Sequence, residues 1–180
     1  MKLKYILAFC CCFSSTILPA QQDNTNWVSY TDTAYHFTVM RPGNWQFKLP
    51  GTSTRFFITS YAEGDADNFR ENINCIARSI DDKDFVISMA EEAIKSSLKE
   101  KMPGFTILSS SYVKWNNTDA LQLGYTCTQQ INGETVGLHI FQHVAVVKGV
   151  LYTLTFTSTA AAYDKYIGVV DKVIQSFKVE

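Results

Sequence analysis

Between residues 105 and 157 apolar and polar side chains alternate through four runs, and turn-forming residues separate each run from the next. A period of two is the mark of a strand with one face covered. The pattern predicts strands over residues 105–115, 120–130, 135–147 and 150–157, joined at Asn116-Asn117-Thr118-Asp119, Asn132-Gly133 and Lys148-Gly149. Connections this short join only antiparallel neighbours. Asn132-Gly133 is the strongest of the three signals, because both residues tolerate the positive φ of a two-residue hairpin loop. Such a loop sets Ile131 opposite Glu134. Counting outward then pairs Cys127 with Leu138, Thr126 with His139, Tyr125 with Ile140 and Gln122 with His143.

That register sorts the side chains into two faces. The first carries Leu121, Leu123, Tyr125, Cys127, Leu138, Ile140, Val144 and Val146. The second carries Gln122, Thr126, His139, Phe141, His143, Ala145 and Val147. A two-residue loop at Lys148-Gly149 adds Tyr152, Leu154 and Phe156 to the second face and puts Thr153, Thr155 and Thr157 on the first, nearer its edge. Threonine suits a partly covered pleated surface, being β-branched yet polar.

A helix follows at once. After Ser158 or Thr159 as N-cap, Tyr163, Tyr166, Ile167, Val170, Val173, Ile174 and Phe177 recur at three- and four-residue steps. This stripe must be buried, and the sheet is the apolar surface available. A second helix is predicted to start within residues 81–84, with Phe85, Val86, Met89, Ala90, Ala93, Ile94, Ser97 and Leu98 inward, and to stop at Pro103-Gly104. Upstream, shorter strands are expected over residues 34–40, 45–49, 55–61 and 72–80, with a polar loop at 63–70. The expected fold is α+β: a central antiparallel β-sheet of about six or seven strands with helices packed on its faces, an α/β/α sandwich.

The first twenty of the 180 residues read differently. Lys2 and Lys4 precede an apolar run that ends at Pro19-Ala20, the pattern of a signal peptide over residues 1–20. Residues 21–29 are expected to form a flexible leader and residues 30–180 a single domain. Export to the periplasm or the cell exterior follows, with no transmembrane segment in the mature chain. Without Lys2 and Lys4 the formal charge moves from -1 to -3, and no basic cluster invites nucleic acid. Cys75 and Cys127, each in a predicted strand, either pair as a disulfide outside the cytoplasm or stand as two buried thiols.

The element order and several residues resemble the PsbP-like superfamily, which includes the extrinsic photosystem II subunit, a Ran-binding nuclear relative and many secreted bacterial proteins. The resemblance rests on Phe37-Thr38-Val39 followed by Pro42 and Trp45, and on Asn72-Ile73-Asn74-Cys75-Ile76. It continues through Tyr152-Thr153-Leu154-Thr155-Phe156-Thr157, Tyr163, Tyr166 and Ile174-Gln175-Ser176-Phe177-Lys178. It implies a PsbP-like sandwich and a binding or assembly module without shared catalytic residues, and it transfers no cofactor and no metal ligand.

Chemistry-bearing residues are few. His139 and His143 project from the second face beside Gln122 and Tyr152, and together suggest a polar pocket for a small ligand or a hydrolase. Four residues of strand span roughly 13 Å, too far for both histidines to hold one metal ion. No G-x-S-x-G occurs, so a serine nucleophile elbow is excluded. Asp65 and Asp67 stand at alternate positions in a loop but lack the remaining elements of a calcium-binding hand. Trp27 and Trp45, with Asp65 and Asp67, are candidate partner contacts. The expected function is non-catalytic binding of a protein or cell-envelope component, through the N-terminal segment, the 63–70 loop and any sheet face left open by the helices. A small-ligand carrier or hydrolase is the alternative.

Overall fold

The computed structural model describes residues 26–51, 53–64, 67–82 and 84–180, so the predicted signal peptide lies outside the described residues. The elements in chain order are β1 (Trp27–Asp32), β2 (Phe37–Pro42), β3 (Gln46–Lys48), β4 (Thr54–Thr59), β5 (Asn72–Ser79) and α1 (Ile87–Lys101). They continue with β6 (Thr106–Trp115), β7 (Thr118–Ile131), β8 (Glu134–Val147), β9 (Val150–Thr159), α2 (Tyr163–Ser176) and β10 (Lys178–Val179). Seven strands form one antiparallel sheet in the order β3-β4-β5-β9-β8-β7-β6, and β1-β2-β10 form a smaller antiparallel sheet.

The meander has the register set by its turns. Ile131 pairs with Glu134, Cys127 with Leu138, Tyr125 with Ile140 and Gln122 with His143. Asn116, Asn117, Asn132, Gly133, Lys148 and Gly149 all have positive φ, the backbone that lets tight hairpins follow the twist of their strands.

Two cores result, one on each face. On the second face α2 presses Tyr166, Val170, Val173 and Ile174 toward the sheet, with Phe177 just beyond its end. Beside α2 the small sheet contributes Phe37 and Val39 to the same cluster. Phe177 stacks on Phe37 at 4.7 Å and on Trp115 at 4.9 Å between ring centroids, joining α2, the small sheet and β6. Arg55 Nε on β4 donates to Asp32 Oδ2 at 2.8 Å, a second tie between the sheets. The backbone amides of Ala34 and Tyr35 also donate to that buried carboxylate. On the first face α1 packs Ile87, Ala90, Ile94 and Leu98 over Leu121, Leu123, Tyr125, Leu138, Ile140 and Val144.

Several boundaries differ from expectation. The first helix starts at Ile87 and not within 81–84, and Val86 at its N-cap makes no side-chain cap. The inward stripe is correspondingly rotated, leaving Met89 65% exposed. The second helix starts after Ala162, because Ser158 and Thr159 remain paired with His139 and Leu138. β9 is interior and not close to an edge, since β5 lies along its other side. Trp27, Val28 and Ser29, assigned to the leader, belong to β1.

Cys75 and Cys127 are both free and buried, so the disulfide is not formed. Cys75 sits in the core under α2 and Cys127 in the core under α1, on opposite faces and with β9 and β8 between their strands. Three strand spacings of about 4.8 Å exceed the reach of any disulfide.

Truncating the keystone ring tests this packing. Phe177→Ala should lower the unfolding free energy by about 3–5 kcal/mol in urea titration, the usual loss for a fully buried aromatic. In intact folded protein neither thiol should react with a water-soluble thiol reagent until denaturant is added, and reducing agent should leave the melting temperature unchanged.

Candidate functional site

Of the four residues proposed for a polar pocket, Gln122 and His143 meet, while His139 and Tyr152 are engaged elsewhere. His143 is 5% exposed, and Gln122 Nε2 lies 3.0 Å from its Nε2. With that amide nitrogen donating, the ring carries its proton on Nδ1, which has no hydrogen-bond partner. Trp115 and Phe141 meet the ring edge-on at 5.8 Å and 5.2 Å. Burial among these groups pushes the His143 pKa down to about 4. His139, further along β8, stacks instead on Tyr163 of α2 at 3.5 Å between ring centroids. Burial lowers its pKa, and Asp164 opposes the shift. The Tyr152 hydroxyl donates to the Tyr35 carbonyl at 2.7 Å and is enclosed by the small sheet. An enclosed neutral imidazole, a stacked imidazole and a tethered tyrosine hold no common substrate position. They are core and packing groups beneath α2.

The candidate partner contacts fare unevenly. Trp45 is 5% exposed and meets Tyr166 edge-on at 5.6 Å, so it is core and not a contact patch. Trp27 is half-buried, with the Lys172 ammonium 5.9 Å from its ring centroid. Asp65 lies outside the described residues. Asp67 closes its own loop, accepting from the backbone amides of Glu63 and Phe69. Glu63 accepts hydrogen bonds from Lys165 and Tyr166, which hold its pKa low and tie the loop to α2. Glu71 is buried beside Ser60, and its burial raises its pKa. Among the described residues no three metal-ligating side chains are grouped to hold an ion.

Two further surfaces stand out. The first lies where α1 stops short of the sheet's far half. α1 rests on β7 and β8, leaving Phe57, Thr59, Asn72, Asn74, Thr155 and Thr157 half-exposed on β4, β5 and β9. Along the flank of α1 runs a cleft of ≈ 510 Å³. Its floor is Ile76, Val144, Leu151 and Thr153, its wall Ile94, Leu98 and Met102, and Arg78 and Lys101 also line it.

The second is the outer edge of β6. This ten-residue strand closes the large sheet on one side, and its residues from Thr106 to Tyr112 are all exposed. Leu108 is 54% exposed and lies where the β6–β7 register shifts between Ile107 and Ser109. Glu91 of α1 braces the strand. It accepts from Ser110 Oγ at 2.8 Å, Tyr112 Oη at 2.5 Å and Lys95 Nζ at 2.5 Å. Lys95, then Tyr112 and Ser110, pull the Glu91 pKa down to about 2, while the same carboxylate pushes Tyr112 up to about 12. The sequence did carry a signal for this edge: Ser109-Ser110-Ser111 breaks the apolar alternation seen in the neighbouring strands.

His143 provides a test of the buried reading. An unfolded chain protonates this ring near pH 6.5, whereas the folded chain resists until about pH 4. Its contribution to stability is therefore complete above pH 6.5 and is lost as the pH falls toward 4. The loss is about 3 kcal/mol at the acid end. In urea titrations across that range, wild-type stability should fall more steeply than that of His143→Met. Parallel slopes would contradict the burial.

No curated protein matches the chain by sequence. Solved structures match its fold. Cyanobacterial PsbP from Synechocystis sp. PCC 6803 superposes with a TM-score of 0.62 at 15% identity, over 87% of this chain and 94% of that one. LpqN of Mycobacterium tuberculosis, involved in cell envelope biogenesis, gives 0.56 at 16% identity, over 88% and 87% of the two chains. The Saccharomyces cerevisiae Ran-binding protein Mog1p gives 0.58 at 9% identity, over 86% and 96%. At such identities the likeness is one of fold. The PsbP family profile matches residues 25–179, almost every residue described above, and the chain belongs to the PsbP family.

Proposed function

We propose that this chain is an exported, non-catalytic binding module that engages a protein or cell-envelope component through the edge of β6. One observation carries the reading: a ten-residue strand at the margin of the large sheet, with seven consecutive exposed residues. A strand at a sheet margin presents a row of backbone donors and acceptors, and natural edges are usually short, charged or covered. β3, at the opposite margin, is three residues long. β6 carries Ile107, Leu108 and Tyr112 toward solvent, and its single lysine, Lys114, is paired with Asp119. An extended segment of a partner laid along β6 would gain main-chain hydrogen bonds, with alternate side chains giving specificity.

Two relatives support a binding role: Mog1p is a Ran-binding protein, and LpqN is involved in cell envelope biogenesis. Export rests on the first twenty residues. No helix among the described residues is long and apolar enough to cross a membrane.

Leu108→Lys with Ser111→Lys places two charges on exposed positions of the strand, where substitutions usually change stability by about 0.5 kcal/mol or less. In pull-downs from envelope extracts the wild-type chain should retain a saturable partner, and the double variant should bind it at least about tenfold more weakly. Equal retention by both would remove β6 from the reading. N-terminal sequencing of the mature protein should begin at Gln21.

A further inference from the structure

We infer that the cleft beside α1 binds a single-chain amphiphile with an anionic head, such as a free fatty carboxylate. The inference stands apart from the β6 edge and would survive its failure. The cleft's ≈ 510 Å³ falls within the about 300–1,000 Å³ of small-molecule sites. Its lining is predominantly aliphatic: Ile76, Ile94, Leu98, Met102, Val144 and Leu151. Among the described residues no aromatic ring lines it to stack on a planar ligand, and the unbranched Met102 adapts readily to a flexible chain.

The charges in the lining have one sign. Among the described residues that line it, Arg78, at the end of β5, and Lys101, in the last turn of α1, are the charged groups, with no carboxylate beside them. Neither cation is engaged in an ion pair or side-chain hydrogen bond among the described residues. In a chain of net charge -1, an apolar cleft with two unpaired cations selects an anion attached to an apolar body.

The same geometry disfavours two other occupants. The floor strands β5, β9 and β8 are interior to the sheet and bonded on both sides. A peptide laid there would find few partners for its own backbone, whereas an alkyl chain needs none. Two cations also fall short of the four to eight that mark an anionic membrane-binding surface, so the ligand is taken up as a monomer.

Isothermal titration with sodium dodecanoate below its micelle concentration tests this. Saturable one-to-one binding is expected, weakened by added salt because the ion pairs are solvent-exposed. Arg78→Gln with Lys101→Gln should weaken it about tenfold. Dodecyl maltoside, with the chain but no charge, and acetate, with the charge but no chain, should each bind far less tightly. Ile94→Trp should fill the cleft and abolish binding. Ser97→Trp, at a half-exposed position on the same wall, provides a second block if the first variant misfolds. Co-sedimentation with phosphatidylglycerol vesicles should fail. The inference is overturned if dodecanoate does not bind, if dodecyl maltoside binds as well, if both folded tryptophan variants bind normally, or if vesicles bind and the monomer does not.

Discussion

The architecture depends on one ring. Phe177 lies between Phe37 of the small sheet and Trp115 of the large one, stacked against both, with Tyr152 edge-on at 5.7 Å. The Trp115 indole N–H donates to the Ile174 carbonyl at 3.0 Å, so the last turn of α2 is fixed to β6 at the same point. β10 follows directly and pairs with β2. Two or three short strands have little independent stability in water. The small sheet persists because this aromatic cluster, together with the Asp32–Arg55 pair, holds it against the large one.

The two faces of the large sheet are consequently unequal. The second is roofed by α2 and the small sheet together, and polar groups there are dehydrated: His143 stays neutral, while Cys75 and Tyr152 have raised pKa values. The first has α1, packed mainly over β7 and β8, with Phe69 and Phe105 beside it. Toward β4, β5 and the far end of β9 that side stays half-exposed. His143 is thereby enclosed and His139 stacked under α2, while the β6 margin and the flank of α1 stay exposed.

How much of this could be read from the chain follows from the range of the interactions involved. Hairpin register is local. Asn132-Gly133 and Lys148-Gly149 adopt the backbone that the turn demands, and face assignments follow by parity. The order of strands is not local. Nothing near Asn72 announces that β5 will lie beside β9, so threonines expected nearer an edge became interior. Helix starts failed for a related reason, since Ser158 and Thr159 could serve as caps or continue the ladder, and neighbouring β8 settled the choice. The disulfide alternative and the exposed reading of Trp45 both required knowing which face and which layer a residue occupies. The cleft needed still more, because its lining comes from β5, α1, β8 and β9, which only the strand order of the sheet brings together.

The β5–β9 pairing carries a kinetic corollary. Ser79 meets Val150 and Asn72 meets Thr157, so β5 waits for a strand made much later in synthesis. The hairpins from β6 to β9 can form early from neighbouring contacts, whereas β3, β4 and β5 have no sheet to join until β9 exists. Closing so long an intervening loop costs entropy before any contact is gained, which slows folding. A nascent chain of this topology therefore stays incomplete through most of its elongation: β1–β2 and β3–β4–β5 can pair among themselves, but the outer edge of β5 has no partner until β9 has been made.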